Sequence, residues 1–273
     1  GRYFPIELFP FSFGEFMARK GLNVKKNDFF IAEKRARVKK MFEEYLYEGG
    51  IPEVVNFPQK NIYLRELFNK IITRDIVSRH GVKYVNDLKE MALYCVSNFS
   101  AKATYNKIRN IFDIKSVHTV KKYLNYLEDA YLIFQLQPFS FKIREHIKKA
   151  RKIYCIDNGL ISAIVPKTTL DKGRLLENLV FLRLRRFSQE IYYYSQADYE
   201  IDFLVKEGMK IRQLIQVSYS LSDNDTKKRE LKALVKASDK LKCKDLSVIT
   251  LDEEGVEKIG SKTIKIIPFY KWR

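Results

Sequence analysis

A chain of 273 residues that is 46% hydrophobic and 14% aromatic has material for two or three small cores, which excludes wholesale disorder. Its 51 Lys and Arg against 33 Asp and Glu leave a net charge of +18, and a surplus of that size predicts a polyanionic partner, nucleic acid before an anionic membrane surface. Three scattered cysteines and three histidines exclude a disulfide framework and a zinc cluster; no apolar run nears the roughly 18–20 residues of a membrane span, and a cytoplasmic protein without membrane contact is expected.

The first twenty residues mix Pro, Glu and Arg with apolar side chains, unlike a signal peptide. No initiator Met is present, and Tyr3–Leu8 reads as a strand stopped by Pro10, so a preceding segment is expected. Ser12 is placed to cap a short helix over Phe13–Arg19, with Glu15 at the third helical position that a capping box requires. Ala32–Leu46 carries Val38, Met41, Phe42, Tyr45 and Leu46 at helical spacing, and Gly49-Gly50 ends it. Asn61–Arg79 predicts a second long amphipathic helix, with Arg74-Asp75 as an ion pair. Together these form a helical linker bundle.

Three further helices follow. Asp87–Phe99 is amphipathic, Thr104–Phe112 is shorter, and after a turn at 113–115 Ser116 is placed to cap Val117–Ala130. In the last, Val117, Val120, Leu124 and Leu127 form one apolar stripe, and His118, Thr119, Lys121, Lys122 and Asn125 occupy the opposite face. Two helices joined by a tight turn, the second starting with polar and basic residues, predict a helix-turn-helix. A hairpin of Tyr131–Leu136 and Lys152–Ile156 follows. Between its strands lies a basic wing with Lys142, Arg144, Lys148, Lys149 and Arg151, suited to phosphates.

The last third alternates helix and strand. Leu175, Leu176, Leu179, Val180, Leu182 and Leu184 mark a helix buried against a sheet, in which the charged Glu177 needs a partner. Tyr192–Tyr194 is a strand. In Tyr199–Val205, period-two geometry places Glu200 and Asp202 on one face, with Ile201 and Phe203 on the other. Gln213–Tyr219 carries Gln216 and Ser218 on a shared face. A basic helix over Lys227–Lys240 and strands at Leu246–Leu251 and Ile264–Pro268 complete the sheet. For Glu177 and Asp202 alone, an ion-paired or hydrogen-bonded pair at a sheet edge is the competing reading.

This helix–strand–strand–helix–strand order, carrying Glu, then Glu-x-Asp, then Gln-x-Ser, resembles the PD-(D/E)xK nuclease superfamily, whose fold is restriction-endonuclease-like. The resemblance implies catalytic positions at Glu177, Asp202, Gln216 and Ser218. Glu177 and Asp202 would be the metal pair for Mg²⁺, Gln216 would fill the slot of the second acid, and Ser218 that of the catalytic Lys. Gln offers only a neutral oxygen and Ser has neither charge nor a suitable pKa. The site is therefore expected to be degenerate, unless a cation such as Lys210, Arg212 or Lys227 takes the missing place.

A wider resemblance rests on an ordered series: Gly1-Arg2-Tyr3; Pro10-Phe11-Ser12-Phe13-Gly14-Glu15-Phe16; Tyr45-Leu46-Tyr47-Glu48-Gly49-Gly50-Ile51-Pro52 as a YLxxGGxP motif; and Thr73-Arg74-Asp75-Ile76-Val77. Followed by a winged helix and a nuclease-like segment, the series resembles the C-terminal half of a family of archaeal and bacterial AAA-type P-loop ATPases. It covers essentially the whole chain. It implies an α+β fold with the end of an ATPase module at 1–20, a helical linker at 21–84, a winged helix at 85–160 and a nuclease-like α/β domain at 161–273. No GxxxxGK followed by Ser or Thr occurs here, so the resemblance assigns ATP and its Mg²⁺, and any homo-oligomer, to a domain preceding this chain. Arg2 would face that nucleotide site from its far side. The expected function is a DNA-binding region, with duplex DNA as partner and a degenerate nuclease-like domain. An active Mg²⁺-dependent nuclease and a protein-interaction or oligomerisation arm are the alternatives.

Overall fold

Local chemistry sets the first helix. In the computed structural model, which describes residues 6–25, 28–29, 31–142 and 149–272, Ser12 caps α1 (Phe13–Arg19) in a complete capping box with Glu15. Arg2, Arg144, Lys148 and the first half of the strand expected over Tyr3–Leu8 lie outside the described residues. The described remainder, Ile6–Leu8, is not a strand. Glu7 is held instead by two 3.0 Å bonds from Arg185 and a 2.8 Å bond from the Tyr131 hydroxyl, so side chains rather than a ladder fix this segment.

Helix α2 (Ala32–Glu48) and helix α3 (Lys60–Lys70), which continues as a π-helix over Ile71–Ser78, form the linker. The two glycines after α2 make a close backbone crossing. Gly49 has φ +70°, and a Cβ on Gly50 would lie 2.2 Å from the Phe11 carbonyl oxygen. Across the crossing, the Asp157 carboxylate accepts from Gly50 N at 2.6 Å and from Gly159 N at 2.8 Å. The YLxxGGxP motif is thus a clasp between the linker and the next region.

That region runs α4 (Val85–Ser97), β1 (Ala101–Ala103), α5 (Tyr105–Ile111), α6 (Val117–Asp129), β2 (Ile133–Leu136) and β3 (Arg151–Cys155). Its sheet is antiparallel in the order β1-β3-β2, the arrangement of a winged helix. Thr104 and Ser116 cap α5 and α6. Strand β1 was not in the sequence expectation: Ala-Lys-Ala is too short to display a period, and only its partner β3 makes it a strand.

Helix α7 (Asn158–Ile164), capped by Asp157, packs against α2, α3 and α4. Then come α8 (Lys172–Phe187), β4 (Ile191–Ser195), β5 (Glu200–Glu207), β6 (Lys210–Ser218), α9 (Asn224–Leu241), β7 (Leu246–Thr250), β8 (Gly255–Ile259) and β9 (Lys262–Pro268). The six-stranded sheet has the order β4-β5-β6-β7-β9-β8 and is parallel only across β6/β7 and β7/β9. One continuous core runs from α1 through the winged helix to α8; the other lies under α9.

Two features of the sheet shape the site. Tyr192 pairs with Leu204 and Tyr194 with Ile201, so two residues, Asp202 and Phe203, oppose Tyr193 alone. This β-bulge corrects the period-two expectation for Phe203, whose ring packs 5.7 Å from Tyr154 and 6.4 Å from Phe181, while Ile201 and Leu204 join the core under α9. The second is a stitch between sheets. The chain leaving β2 adds to the β4 edge, with Phe139 N donating to Tyr193 O at 2.6 Å and Tyr193 N to Gln137 O at 3.1 Å, which covers an otherwise open edge.

Candidate functional site

The bulge, α8 and the winged-helix sheet converge on one buried charge cluster. Helix α8 contributes Glu177 and β5 contributes Glu200 and Asp202, as the sequence pattern predicts. Their common partner comes from β3. The Lys152 ammonium lies 3.0 Å from Glu177 Oε1, 3.1 Å from Glu200 Oε1 and 2.9 Å from Asp202 Oδ1. Only 4% of its side chain is exposed. Tyr154, two residues on and therefore on the same face of β3, donates its hydroxyl to Glu177 Oε1 at 2.7 Å.

The electrostatics follow from this crowding. Burial pushes the Glu177 carboxyl up to about 7; the Asp202 charge adds to the rise, and Lys152 and Tyr154 oppose it. Burial alone would favour a neutral lysine, but Asp202, Glu177 and Glu200 outweigh it and hold Lys152 well above the usual lysine range. The three acids thus favour the charged form of the lysine at the centre.

Strands β5 and β6 pair from Phe203/Ile215 to Glu207/Lys210 and separate beyond, so Asp202 and Gln216 stand where they fork. Side chains replace the missing ladder. Asp202 Oδ2 accepts from Val217 N at 3.0 Å, Asp202 N donates to Gln216 Oε1 at 2.8 Å, and Gln216 Nε2 donates to Glu200 O and to Glu230 Oε2. The amide oxygen of Gln216 is therefore engaged by backbone. Ser218 turns away and donates to Ser220 O at 2.7 Å.

These contacts do not fit Mg²⁺. The ion requires several oxygens at about 2.0–2.1 Å, whereas the carboxylates here surround an ammonium. Among the described residues no group of three or more His, Cys, Asp or Glu is disposed to hold a metal ion. Nor does any of the three cations considered from sequence reach the centre: Arg212 pairs with Glu207, Lys227 with Glu257, and Lys210 is exposed. Sequence reasoning missed Lys152. The available signal was a lone lysine in a five-residue strand whose next three residues are apolar or aromatic.

The second candidate surface is the outer face of α6. His118, Lys122 and Asn125 are exposed there, while Thr119 and Lys121 are half-buried. Lys121 Nζ lies 5.2 Å over the Tyr105 ring. Arg151 turns inward, its guanidinium 5.0 Å over the same ring and bonded to Gln135 Oε1 at 3.3 Å. Lys142 and Lys149 are exposed at the two ends of the wing. One side of the face is covered, because His80 stacks on Tyr126 at 3.8 Å.

Residues 39–171 match a family model described as a domain of unknown function, DUF8612, and residues 172–272 match another, DUF4143. The latter is a domain found at the C-terminal end of AAA-ATPase-like proteins. The uncharacterized protein MJ1544 of Methanocaldococcus jannaschii is 36% identical over all of this chain, and an uncharacterized protein of Haemophilus influenzae is 30% identical over 82% of it. The chain spans 64% and 55% of these relatives' lengths. No solved structure matches it.

Proposed function

We propose, from the premise that residues 172–272 match a domain found at the C-terminal end of AAA-ATPase-like proteins, that this chain is the DNA-engaging region of such a protein. Duplex DNA would lie along His118, Lys122 and Asn125 of α6, with Lys142 and Lys149 of the wing on phosphates. ATP binding and hydrolysis would belong to a P-loop outside these residues. The nuclease-like centre serves as a structural joint and not as a catalyst. One observation carries the reading: a strand of the basic winged helix supplies the cation, Lys152, that pairs with all three carboxylates of the acidic centre of the neighbouring module.

A lysine within 3 Å of Asp202 also restores, from an unexpected strand, the acid-plus-lysine composition of an active nuclease, and this favours metal-dependent cleavage as the second reading. Two measurements separate the possibilities. Titrating a labelled duplex across a salt series is expected to show affinity falling steeply with salt, with Lys122→Gln and Lys142→Gln each lowering the slope by about 0.9. Binding that ignores salt would point to the protein-interaction arm. Plasmid incubated with Mg²⁺ or Mn²⁺ is expected to stay intact; cutting by the wild type that Asp202→Ala abolishes would establish the nuclease.

A further inference from the structure

Between the winged helix and the edge of the large sheet lies a cleft of about 560 Å³, lined by Lys102, Lys149, Ala150, Tyr193, Ser195 and Gln196. Lys102 on β1 and Lys152 on β3 are directly opposed in the register. Like charges so placed destabilise a sheet unless an anion lies between them. Glu200 is that anion: Oε1 is 3.1 Å from Lys152 Nζ, and Oε2 pairs with Lys102 Nζ. The two cations differ in access. Lys152 is buried, whereas 39% of the Lys102 side chain is exposed. Lys102 also lies 3.3 Å from Ser195 Oγ, at the wall of the cleft.

Glu200 is therefore claimed from both sides, and its hold on Lys102 is open to water, where an ion pair contributes little. An anion entering the cleft can take Lys102 at small cost, leaving Glu200 to Lys152. Tyr193 is only 2% exposed, so the cleft offers no platform on which a base could stack. It suits a phosphate, which carries no sequence information.

We propose that this cleft seats one backbone phosphate of the duplex held by the wing, with Lys102 exchanging Glu200 for a phosphate oxygen. This rests on the DNA-binding reading above and extends the footprint from α6 to the mouth of the acidic centre. Duplex binding by the whole chain, followed by anisotropy across a salt series, tests it. Lys102→Gln is expected to lower the salt slope by about 0.9, the value of one phosphate contact, and Lys102→Arg to keep it. Glu200→Gln, which releases the Lys102 charge, is expected to tighten binding at low salt. If Lys102→Gln leaves the slope unchanged while Lys122→Gln lowers it, or if Glu200→Gln weakens binding, the cleft is not a phosphate seat and the DNA-binding reading stands. A wild-type chain that binds no duplex overturns both.

Discussion

Lys152 holds three carboxylates that would otherwise repel one another, and they in turn offset the cost of burying its ammonium. Neither side of the cluster is tolerable alone. Glu177 is the member most affected by burial, and its raised pKa has a consequence for stability. Between its ordinary value near 4.5 and its folded value of about 7, the native state binds more protons than the unfolded chain, so this group's contribution falls as pH rises. Glu177→Gln removes that contribution while Asp202 and Glu200 still hold Lys152. Denaturant titrations at a series of pH values are expected to show the wild type losing ground to Glu177→Gln as pH rises from about 4.5 to 7. Parallel curves would show that the Glu177 carboxyl has the same pKa in the folded and the unfolded chain.

At the scale of elements, much of the fold is legible in the sequence. The capping box at Ser12, the cap at Ser116, the stripe of α6 and the acid-bearing strand β5 all arise from spacings within a few residues; the cap at Thr104, read as helical in the sequence, emerged only in the structure. What escaped was non-local. Strand β1 needs β3, and Phe203 changes face because a single residue of β4, Tyr193, stands opposite two of β5. The YLxxGGxP motif was legible as a motif, but its task was not: it lets Gly49 and Gly50 touch Asp157 and Phe11. The third glycine of the clasp offers a test. A Cβ on Gly159 would lie 2.2 Å from the Glu48 carbonyl oxygen, a backbone atom that cannot swing aside. Gly159→Ala is expected to destabilise by about 1–3 kcal/mol, measured by urea unfolding, whereas Gly208→Ala, at a hairpin turn with nothing within 4 Å, answers only to its positive φ and is the comparison. Equal losses would mean the clasp is loose.

Across the whole molecule, the clasp, the Phe139–Tyr193 stitch and the Lys152 cluster join the linker, the three-stranded region and the C-terminal α/β module. The two family matches meet between residues 171 and 172, yet the main core crosses that boundary, with Phe134 and Tyr154 packing on Phe181. One cooperative unfolding transition is therefore expected. Fluorescence of Trp272, the chain's one tryptophan, reports the C-terminal module, and far-UV circular dichroism reports the whole; their transitions should coincide. Separate midpoints would show that the modules unfold independently. The sequence alone determined the α+β class, the helices with the caps at Ser12 and Ser116, the basic face of α6 and the positions of Glu177, Glu200 and Asp202, because each depends on periodicity or spacing along the chain. Only the tertiary structure decided what those acids hold. Their cation lies 25 residues from Glu177 and 50 from Asp202, on a strand brought there by sheet pairing and core packing, and a charge's partner is set by distance in space, not by distance along the chain.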